Sequence, residues 1–258
     1  MDRRQLLTLV TLASGVSAVS PVWAQFDLGK MLDAGKDLAK SESLTDDEVK
    51  AAFDQMAAES DRQNRIAPAG NPYATRLNKL TAGLGTYDGL KMNFKVYLTP
   101  DINAFAMANG TIRVYSGLMD KFTDDEVRYV IGHEIGHVKK GHSKARIQAA
   151  LRTSALRNAV SSSNSRAGAI ADSQLGDLFE KVVRAQHSQS NEREADDYAM
   201  GFMKAKRYQP SACVSALEKL AAMSGGDSSN FLSTHPSPKE RAERMKTCLL
   251  YTSPSPRD

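Results

Sequence analysis

The run His133-Glu134-Ile135-Gly136-His137 constrains the fold more than any other part of the sequence. Two histidines four residues apart differ by only about 40° in azimuth on an α-helix, so both imidazoles point the same way. Glu134 is displaced by roughly 100° from His133 and is placed to reach a water on a shared metal. Two neutral nitrogen ligands and a carboxylate base are what a zinc hydrolase needs. The motif therefore predicts a zinc site on a helix.

The residues around this motif predict a helix that is packed in a core. Thr123 and Glu126 form a capping box, which opens a helix that runs through the motif and stops near Gly141. Val130 and Ile131 precede the motif and are apolar. Histidines and a glutamate on a buried helix need a partner, and a metal ion supplies one. The alternative is a solvated helix face with incidental histidines.

A third ligand is needed to complete such a site, and its position decides the class of enzyme. In the metzincin class, Gly and His follow the second histidine by three and six residues. Lys140 and Ser143 occupy those places, which excludes that class. His142 lies five residues beyond His137 and would point about 140° away on a continuing helix. We therefore expect an outer or structural role for His142.

The acidic run that begins at Asn191 offers better candidates for the third ligand. Glu192 and Asp196 are four residues apart on a predicted helix and share one face. Glu192 would complete a site of two histidines and one glutamate with an open position. Asp196 can accept a hydrogen bond from a ligand imidazole and fix its tautomer. Glu194 is the second candidate ligand, and a solvated helix face is the alternative for the whole run.

The rest of the chain predicts an α+β fold that is mainly helical, with a small sheet or hairpin next to the motif helix. Phe94, Val96 and Leu98 alternate with polar residues and predict a strand, and Asn109-Gly110 predicts a β-hairpin. Helices are predicted over residues 26–40, 45–63, 72–84, 123–140, 144–160, 173–186, 191–206, 210–223 and 238–246, with a Ser/Asn-rich loop over 161–168.

We expect only residues 25–247 to form the folded domain. Residues 1–24 have a charged start, an apolar stretch and small residues before the predicted cleavage site, as is typical of a signal peptide. Residues 248–258 read CLLYTSPSPRD and look like a translated sequencing adapter rather than native chain. Cys248 lies in that run, so Cys213 would have no disulfide partner. The alternatives are an uncleaved anchor at the start and a genuine Pro/Ser-rich tail at the end.

Composition excludes several classes of protein. The 258 residues are 41% hydrophobic and 25% charged, which is ordinary for a globular chain and excludes disordered, collagen-like and disulfide-dense proteins. A net charge of +4 is too mild to predict a nucleic-acid partner. The two cysteines form no Cys-x-x-Cys pair, which excludes a thiolate zinc site. After removal of the signal peptide we expect no membrane-spanning segment.

Four separated segments together resemble one protein family. They are the motif at His133–His137, Glu192 with the downstream Ala195-Asp196, the segment Asn103–Ala106, and His235 within Thr-His-Pro. In this order they resemble the gluzincin zinc metalloproteases of the HtpX and CAAX-prenyl-protease type. Within that family the chain is most similar to the soluble periplasmic, LoiP-like branch, which is related to the BepA-like proteins. The resemblance runs from about residue 44 to residue 246.

The resemblance implies a zincin-like domain and a role for each matching residue. One Zn²⁺ would be held by His133, His137 and Glu192, and Glu134 would act as the catalytic base. His235 would lie near the zinc, where it either stabilises the oxyanion or acts as a fourth ligand. The segment 103–107 is expected to be either an edge strand that pairs with an extended substrate or an ordinary hairpin strand.

The resemblance also implies where the protein works. The first expectation is a zinc endopeptidase of the bacterial periplasm that hydrolyses misfolded or misassembled envelope proteins, and thus serves quality control. This expectation allows the protein to lie at the periphery of the outer membrane and to contact the outer-membrane assembly machinery. The alternative is a zinc-containing chaperone or assembly factor for outer-membrane proteins with little proteolytic turnover, its site held shut by His235. Arg241 and Arg244 either assist the site or are solvated, and His187 is expected to be structural.

Overall fold

A computed structural model describes residues 46–150, 172–223 and 230–252. The helices in these ranges are α1 (Asp46–Gln63), α2 (Pro72–Leu80), α3 (Ser116–Lys121), α4 (Asp124–Lys139), α5 (His142–Ala150), α6 (Asp172–Val182), α7 (Gln189–Ala205), α8 (Ala212–Ala222), α9 (Asn230–Thr234) and α10 (Pro238–Thr252). The strands are β1 (Thr86–Tyr87), β2 (Leu90–Lys91), β3 (Asn93–Tyr97), β4 (Ala104–Ala106) and β5 (Thr111–Tyr115). The predicted signal peptide, the helix over 26–40 and the loop over 161–168 lie outside the described residues.

The expected fold class is confirmed, because the described chain is mostly helical with small sheets. Several predicted boundaries were wrong. Helix α2 ends at Leu80 rather than near residue 84, and α6 ends at Val182 rather than at 186. Helix α10 continues beyond the predicted end at 246 to Thr252. The short helices α3 and α9 and the small hairpin β1–β2 were not predicted, since elements this short carry little periodicity.

The motif helix α4 packs against a three-stranded sheet in the order β3-β5-β4. The predicted hairpin is present, because β4 pairs antiparallel with β5. Strand β3 pairs with the other side of β5 in parallel register, with Asn93 opposite Thr111. Gly110 in the hairpin turn has φ 84°, and a Cβ there would lie 1.8 Å from the carbonyl oxygen of Lys91. A side chain at this position would therefore break the turn.

Alternating side chains of this sheet serve two separate cores, as the period of a strand requires. Val96, Ile112 and Val114 belong to the core that also contains the apolar face of α4. Tyr97 and Phe105 face the other way, into a second core formed with α1, α5 and α6. Because both faces are covered, all five residues of the central strand β5 are buried.

An ion pair between a buried arginine and a partly buried aspartate attaches α1 to this sheet. Arg113 on the central strand is 2% exposed, and its Nε and Nη2 donate to the two carboxylate oxygens of Asp61 on α1 at 2.7 and 2.9 Å. Lys95 and Tyr97 donate to the same carboxylate, each at 2.7 Å. Burial alone would raise the pKa of Asp61, but the hydrogen bonds from Arg113 and its neighbours hold it below its usual value.

Candidate metal centre and active site

Helix α4 places the two motif histidines side by side. The predicted capping box is present, because the backbone N–H of Thr123 donates to Glu126 Oε2 at 2.8 Å and the N–H of Glu126 donates to Thr123 Oγ1 at 3.4 Å. Ten residues later, the Nε2 atoms of His133 and His137 lie 3.0 Å apart. Both imidazoles are 1% exposed. The helix thus presents two convergent nitrogen atoms in a water-excluded site.

Two glycines allow helix α7 to approach α4 closely. A Cβ on Gly136 would lie 3.1 Å from the Cα and carbonyl oxygen of Ala195, and one on Gly132 would lie 2.6 Å from the ring of Phe202. This close packing brings Glu192, on the first turn of α7, to the motif histidines. Helix α7 therefore supplies the carboxylate from a position more than fifty residues along the chain.

The structure brings the three predicted ligands together. Glu192 Oε2 lies 3.5 Å from His133 Nε2, and Glu192 Oε1 lies 3.4 Å from His137 Nε2. Glu194, the second candidate ligand, instead lies beside His142, with 3.5 Å between its Oε2 and the His142 Nε2. Its side chain is half exposed, so it points away from the buried centre.

His235 joins this group from the turn that follows α9. Its Nδ1 lies 3.0 Å from Glu192 Oε1 and 3.3 Å from His133 Nε2. Its Nε2 lies 3.4 Å from Glu134 Oε1, and its ring stacks on Phe231 with 4.1 Å between ring centroids. The imidazole therefore touches both the candidate ligand carboxylate and the candidate base, so both roles considered for it remain open.

The residues of this centre fit a divalent metal ion. One ligand atom from each of His133, His137, Glu192 and His235 lies within 4.8 Å of the others. Tetrahedral zinc with bonds of about 2.0–2.1 Å would need ligand atoms about 3.3–3.4 Å apart. The contacts between these atoms span 3.0 to 3.5 Å. In addition, Glu134 Oε1 is buried and has no hydrogen-bond partner in the described chain, as expected of a carboxylate that faces a bound water.

The two buried carboxylates of the centre have opposite electrostatic environments. Burial raises the pKa of Glu134 above its ordinary value. Burial acts in the same direction on Glu192, but the charges of His235 and Arg241 outweigh it and hold the pKa of Glu192 well below its usual range. Glu192 is therefore ionised, as a metal ligand must be, whereas Glu134 is more basic than an exposed carboxylate and better able to accept a proton.

The pKa values of the two motif imidazoles shift in opposite directions. Burial lowers the pKa of His137 well below its ordinary value, which keeps the ring neutral and able to bind a metal. Burial also opposes charge on His133, but hydrogen bonding with Asp196 and Glu192 raises the pKa of His133 to about 9. The environment of His133 is thus dominated by its carboxylate neighbours rather than by burial.

A network of buried side chains contacts the Nδ1 side of His133. Asp196 is completely buried, and its Oδ1 lies 3.0 Å from His133 Nδ1, so that the ring N–H donates to the carboxylate. The Tyr129 hydroxyl donates to the same oxygen at 2.6 Å. Arg241 donates from Nη2 to Oδ1 at 2.7 Å and from Nε to Oδ2 at 2.8 Å. Arg241 also forms an ion pair with Glu192. The position of Asp196 suits the outer role expected of it.

Tyr129 is not among the predicted site residues, and the contact between His142 and His137 was not predicted either. Tyr129 precedes His133 by four residues, so the i, i+4 spacing was the available signal. Arg241 is buried, whereas Arg244 is about one-third exposed and pairs with Asp197. His142 reaches the site because the chain turns at Gly141, with φ 71°, instead of continuing the helix.

The remaining histidines lie against His137. The Nδ1 atoms of His142 and His137 are 2.9 Å apart, and the ring of His187 stacks on His137 with 3.7 Å between centroids. His187 Nδ1 is buried without a hydrogen-bond partner in the described chain. The sequence predicts a structural role for His187 and gives no signal for this stacking.

Strand β4 occupies an outer position of the sheet and lies against α4. Its three residues, Ala104–Ala106, are all buried, and Ser143 Oγ donates to the carbonyl oxygen of Ala106 at 3.2 Å. This burial suits a strand that covers the core, which was one of the two expectations for residues 103–107.

Comparison with known proteins decides the family. The model of peptidase family M48 matches residues 75–248. The chain belongs to peptidase family M48. Metalloprotease LoiP of Escherichia coli (strain K12) is 43% identical over 247 residues, which cover 95% of this chain and 96% of LoiP. Metalloprotease YcaL of the same organism is 38% identical over 221 residues, which cover 85% of this chain and 87% of YcaL. The resemblance stated from the sequence is thereby confirmed.

More distant relatives match only part of this chain. The mitochondrial metalloendopeptidase OMA1 of Arabidopsis thaliana is 29% identical over 169 residues, which cover 65% of this chain and 34% of OMA1. As a member of the M48 family with metalloproteases as relatives over most of its length, the protein is a metalloendopeptidase. Within the described residues, no helix is both long enough and apolar enough to cross a bilayer.

Proposed function

We propose that this M48 protein is a zinc-dependent endopeptidase of the bacterial periplasm that hydrolyses misfolded or misassembled envelope proteins. The observation that carries the chemistry is the convergence of three imidazole nitrogens and one carboxylate beside the unpartnered Oε1 of Glu134. The predicted signal peptide over residues 1–24 supports the periplasmic location. The likeness to LoiP and YcaL, both named metalloproteases, supports proteins as the substrates.

In this proposal, His133, His137 and Glu192 hold one zinc ion, which when bound would activate a water and polarise the scissile carbonyl. Glu134 accepts a proton at its carboxylate and later donates it to the leaving amine. Its burial supports this role, because the raised pKa of Glu134 brings the carboxylate closer to the proton affinity that a base needs near neutral pH.

The buried network positions the ligands. The Asp196 carboxylate accepts the Nδ1–H of His133 and so directs His133 Nε2 toward the metal position. Arg241 lies between Asp196 and Glu192 and forms an ion pair with each carboxylate. We assign no contact with substrate to Arg241, because its guanidinium is held by these two partners.

One observation favours a second candidate, the zinc-containing chaperone with little turnover. His133, Glu134, His137, Glu192 and His235 are each no more than 2% exposed, so the centre as described is covered. His235 lies 3.4 Å from Glu134 Oε1 and thus fills space next to the base. With the centre covered in this way, a protein that binds unfolded clients would not cleave them.

The test of the base compares the wild type with Glu134→Gln on unfolded casein at matched zinc content. We expect the wild type to cleave casein and the variant to retain zinc but lose cleavage, because the amide cannot accept the proton. Unchanged cleavage by the variant would show the mechanism to be wrong. A zinc-loaded wild type that binds unfolded barrel proteins and never cleaves them would favour the chaperone.

The test of the third ligand uses the neighbouring pair Glu192→Ala and Glu194→Ala, with zinc measured by mass spectrometry. The first variant should lose most of its zinc, since it removes the carboxylate that lies beside both motif histidines. The second should keep its zinc, because its half-exposed carboxylate lies beside His142. Equal zinc loss in the two variants would contradict the assignment of Glu192.

A further inference from the structure

Helix α5 has two basic side chains, His142 and Arg146, on the face that borders the centre. Its first residue, His142, contacts His137 at 2.9 Å. Arg146 follows four residues later and so lies on the same face of the helix, about 6 Å further along its axis. The Nη1 of Arg146 donates to the carbonyl oxygen of Val182 at the end of α6, at 2.8 Å. This bond holds the guanidinium between α5 and α6, on the side of the centre where His142 lies.

One end of this guanidinium has no partner. The Nη2 of Arg146 is sealed from solvent and makes no hydrogen bond within the part of the chain that the structure describes. Among the described residues, the two most deeply buried guanidinium groups each hold a carboxylate, Arg113 that of Asp61 and Arg241 that of Asp196. For Arg146, the described residues offer only the carbonyl of Val182.

A guanidinium in this position remains charged. Burial lowers the pKa of Arg146 to about 10, while the charges of Glu192 and Glu134 act in the opposite direction. A charge that is removed from water without an ion-pair partner is costly, and an unbonded N–H adds to that cost. A buried N–H without a hydrogen bond calls for an explanation, and a bound anion is the one that suits a guanidinium. The charges that act on Arg146 here are those of the candidate ligand and the candidate base.

We propose that Arg146 binds a carboxylate of the peptide substrate, either an acidic side chain near the scissile bond or the terminal carboxylate, and so gives the protease a preference for acidic peptides. This inference rests on the proposed function. An anion is the partner that a guanidinium recognises best, through two parallel N–H···O bonds.

Access to Arg146 follows from access to the centre. The five residues of the centre are at most 2% exposed, so a peptide bond reaches Glu134 only after this part of the protein opens. Arg146 lies on the helix that borders the centre, and its side chain is already partly exposed. In the proposal, the opening that admits the substrate backbone to Glu134 also admits a substrate carboxylate to the Nη2 of Arg146, whose charge interacts with those of Glu192 and Glu134.

The experiment uses peptide pairs that differ only in charge. A single Glu is moved through the positions on both sides of the cleaved bond and compared with Gln, and each peptide is made with a free and an amidated C-terminus. We expect the zinc-loaded wild type to favour the acidic member of at least one pair by roughly ten- to hundredfold in kcat/KM, through KM. Loss of the preference on Glu→Gln exchange identifies a side chain, and loss on amidation identifies the terminal carboxylate.

The variant Arg146→Gln should bring this ratio close to one, and Arg146→Glu should reverse it in favour of Lys-containing peptides. Arg184→Gln is the matched control, because Arg184 is exposed and its partner is Glu180 on α6. The control should keep the ratio of the wild type. A wild type that cleaves acidic and neutral peptides equally, or a preference that survives Arg146→Gln, would overturn the proposal.

Binding measurements separate this proposal from the proposed function. Peptide affinity is measured by fluorescence anisotropy in the Glu134→Gln background, where no cleavage is expected. A preference for acidic peptides that disappears on adding Arg146→Gln supports the carboxylate site even if no wild-type cleavage is found, in which case only the protease assignment fails. Equal affinities for the acidic and neutral peptides contradict the site whether or not the enzyme cleaves. If Arg146→Gln does not fold, the wild-type preference and the Arg146→Lys variant, which keeps the charge but lacks the planar fork, decide the question.

Discussion

The substitution Asp196→Asn tests how much the buried network contributes to stability and to metal binding. Asp196 is completely buried and accepts hydrogen bonds from His133, Tyr129 and Arg241. Asparagine has the same shape but no charge, and its NH₂ group would face N–H donors. Arg241, which is 5% exposed, would be left with Glu192 as its one ionised partner among the described residues.

The expected cost follows from that loss of charge. Removal of one partner of a buried ion pair costs about 3–5 kcal/mol, and the lower value applies because Glu192 still compensates Arg241. For a domain of 150–250 residues, about 3 kcal/mol corresponds to a decrease in Tm of roughly 6–12 °C. The affinity for zinc should fall about 10- to 100-fold, because His133 loses the carboxylate that accepts its Nδ1–H.

The matched control is the next residue, Asp197→Asn. Asp197 is about half exposed and pairs with the partly exposed Arg244, so its loss should cost at most about 1 kcal/mol. Tm is measured for both variants by calorimetry, with a chelator and with zinc, and zinc affinity is measured by competition with a chelating dye. A chelator-treated Asp196→Asn protein within about 1 kcal/mol of Asp197→Asn would refute the reasoning.

A double-substitution cycle separates the ion pair from the rest of the network. Arg241→Met removes the cation and fills similar volume, so that Asp196→Asn in this background no longer leaves a buried charge without its full set of partners. We expect the two substitutions together to cost clearly less than the sum of the single changes. Additive costs would show that the charges of Asp196 and Arg241 are not coupled.

Two further predictions concern packing and pH. Gly136→Ala should lower stability and zinc affinity, because its Cβ would lie 3.1 Å from the backbone of Ala195. Gly201→Ala lies in open space on α7 and should raise the free energy of unfolding by up to about 1 kcal/mol. Calorimetry checks both predictions. Because the pKa of Asp61 is lowered in the folded state, the stability from its pair with Arg113 is present above the unfolded pKa of about 4 and is lost as pH falls through the folded pKa. The difference in Tm between the wild type and Asp61→Asn should therefore shrink from about pH 6 to about pH 3, and a constant difference would contradict this.

The sequence predicted the parts of the site whose geometry is local. The spacing of His133 and His137 places both imidazoles on one helix face, because that depends only on 3.6 residues per turn. The capping box at Thr123 depends on three neighbouring residues, and the structure has it. The same local reasoning placed Glu192 and Asp196 on one face of a helix, and the structure buries both.

Local reasoning failed where the chain turns or where distant segments pair. The end of the motif helix near Gly141 was predicted, but the position of His142 was not, because it depends on the direction that the chain takes at that turn. The hairpin β4–β5 was predicted from its turn, but the parallel pairing of β3 with β5 was not, because parallel pairing leaves no local turn signal.

The sequence by itself determined a mainly helical α+β fold and a set of residues able to bind a metal on two amphipathic helices. The tertiary structure decided which carboxylate lies beside the histidines and that Arg241 is buried between Glu192 and Asp196. It also decided that the Nη2 of Arg146 is buried without a hydrogen-bond partner among the described residues. The physical reason is that periodicity specifies the direction of a side chain on its own helix. Distances between helices depend on how closely they pack, here at Gly132 and Gly136, and on the turns that connect them.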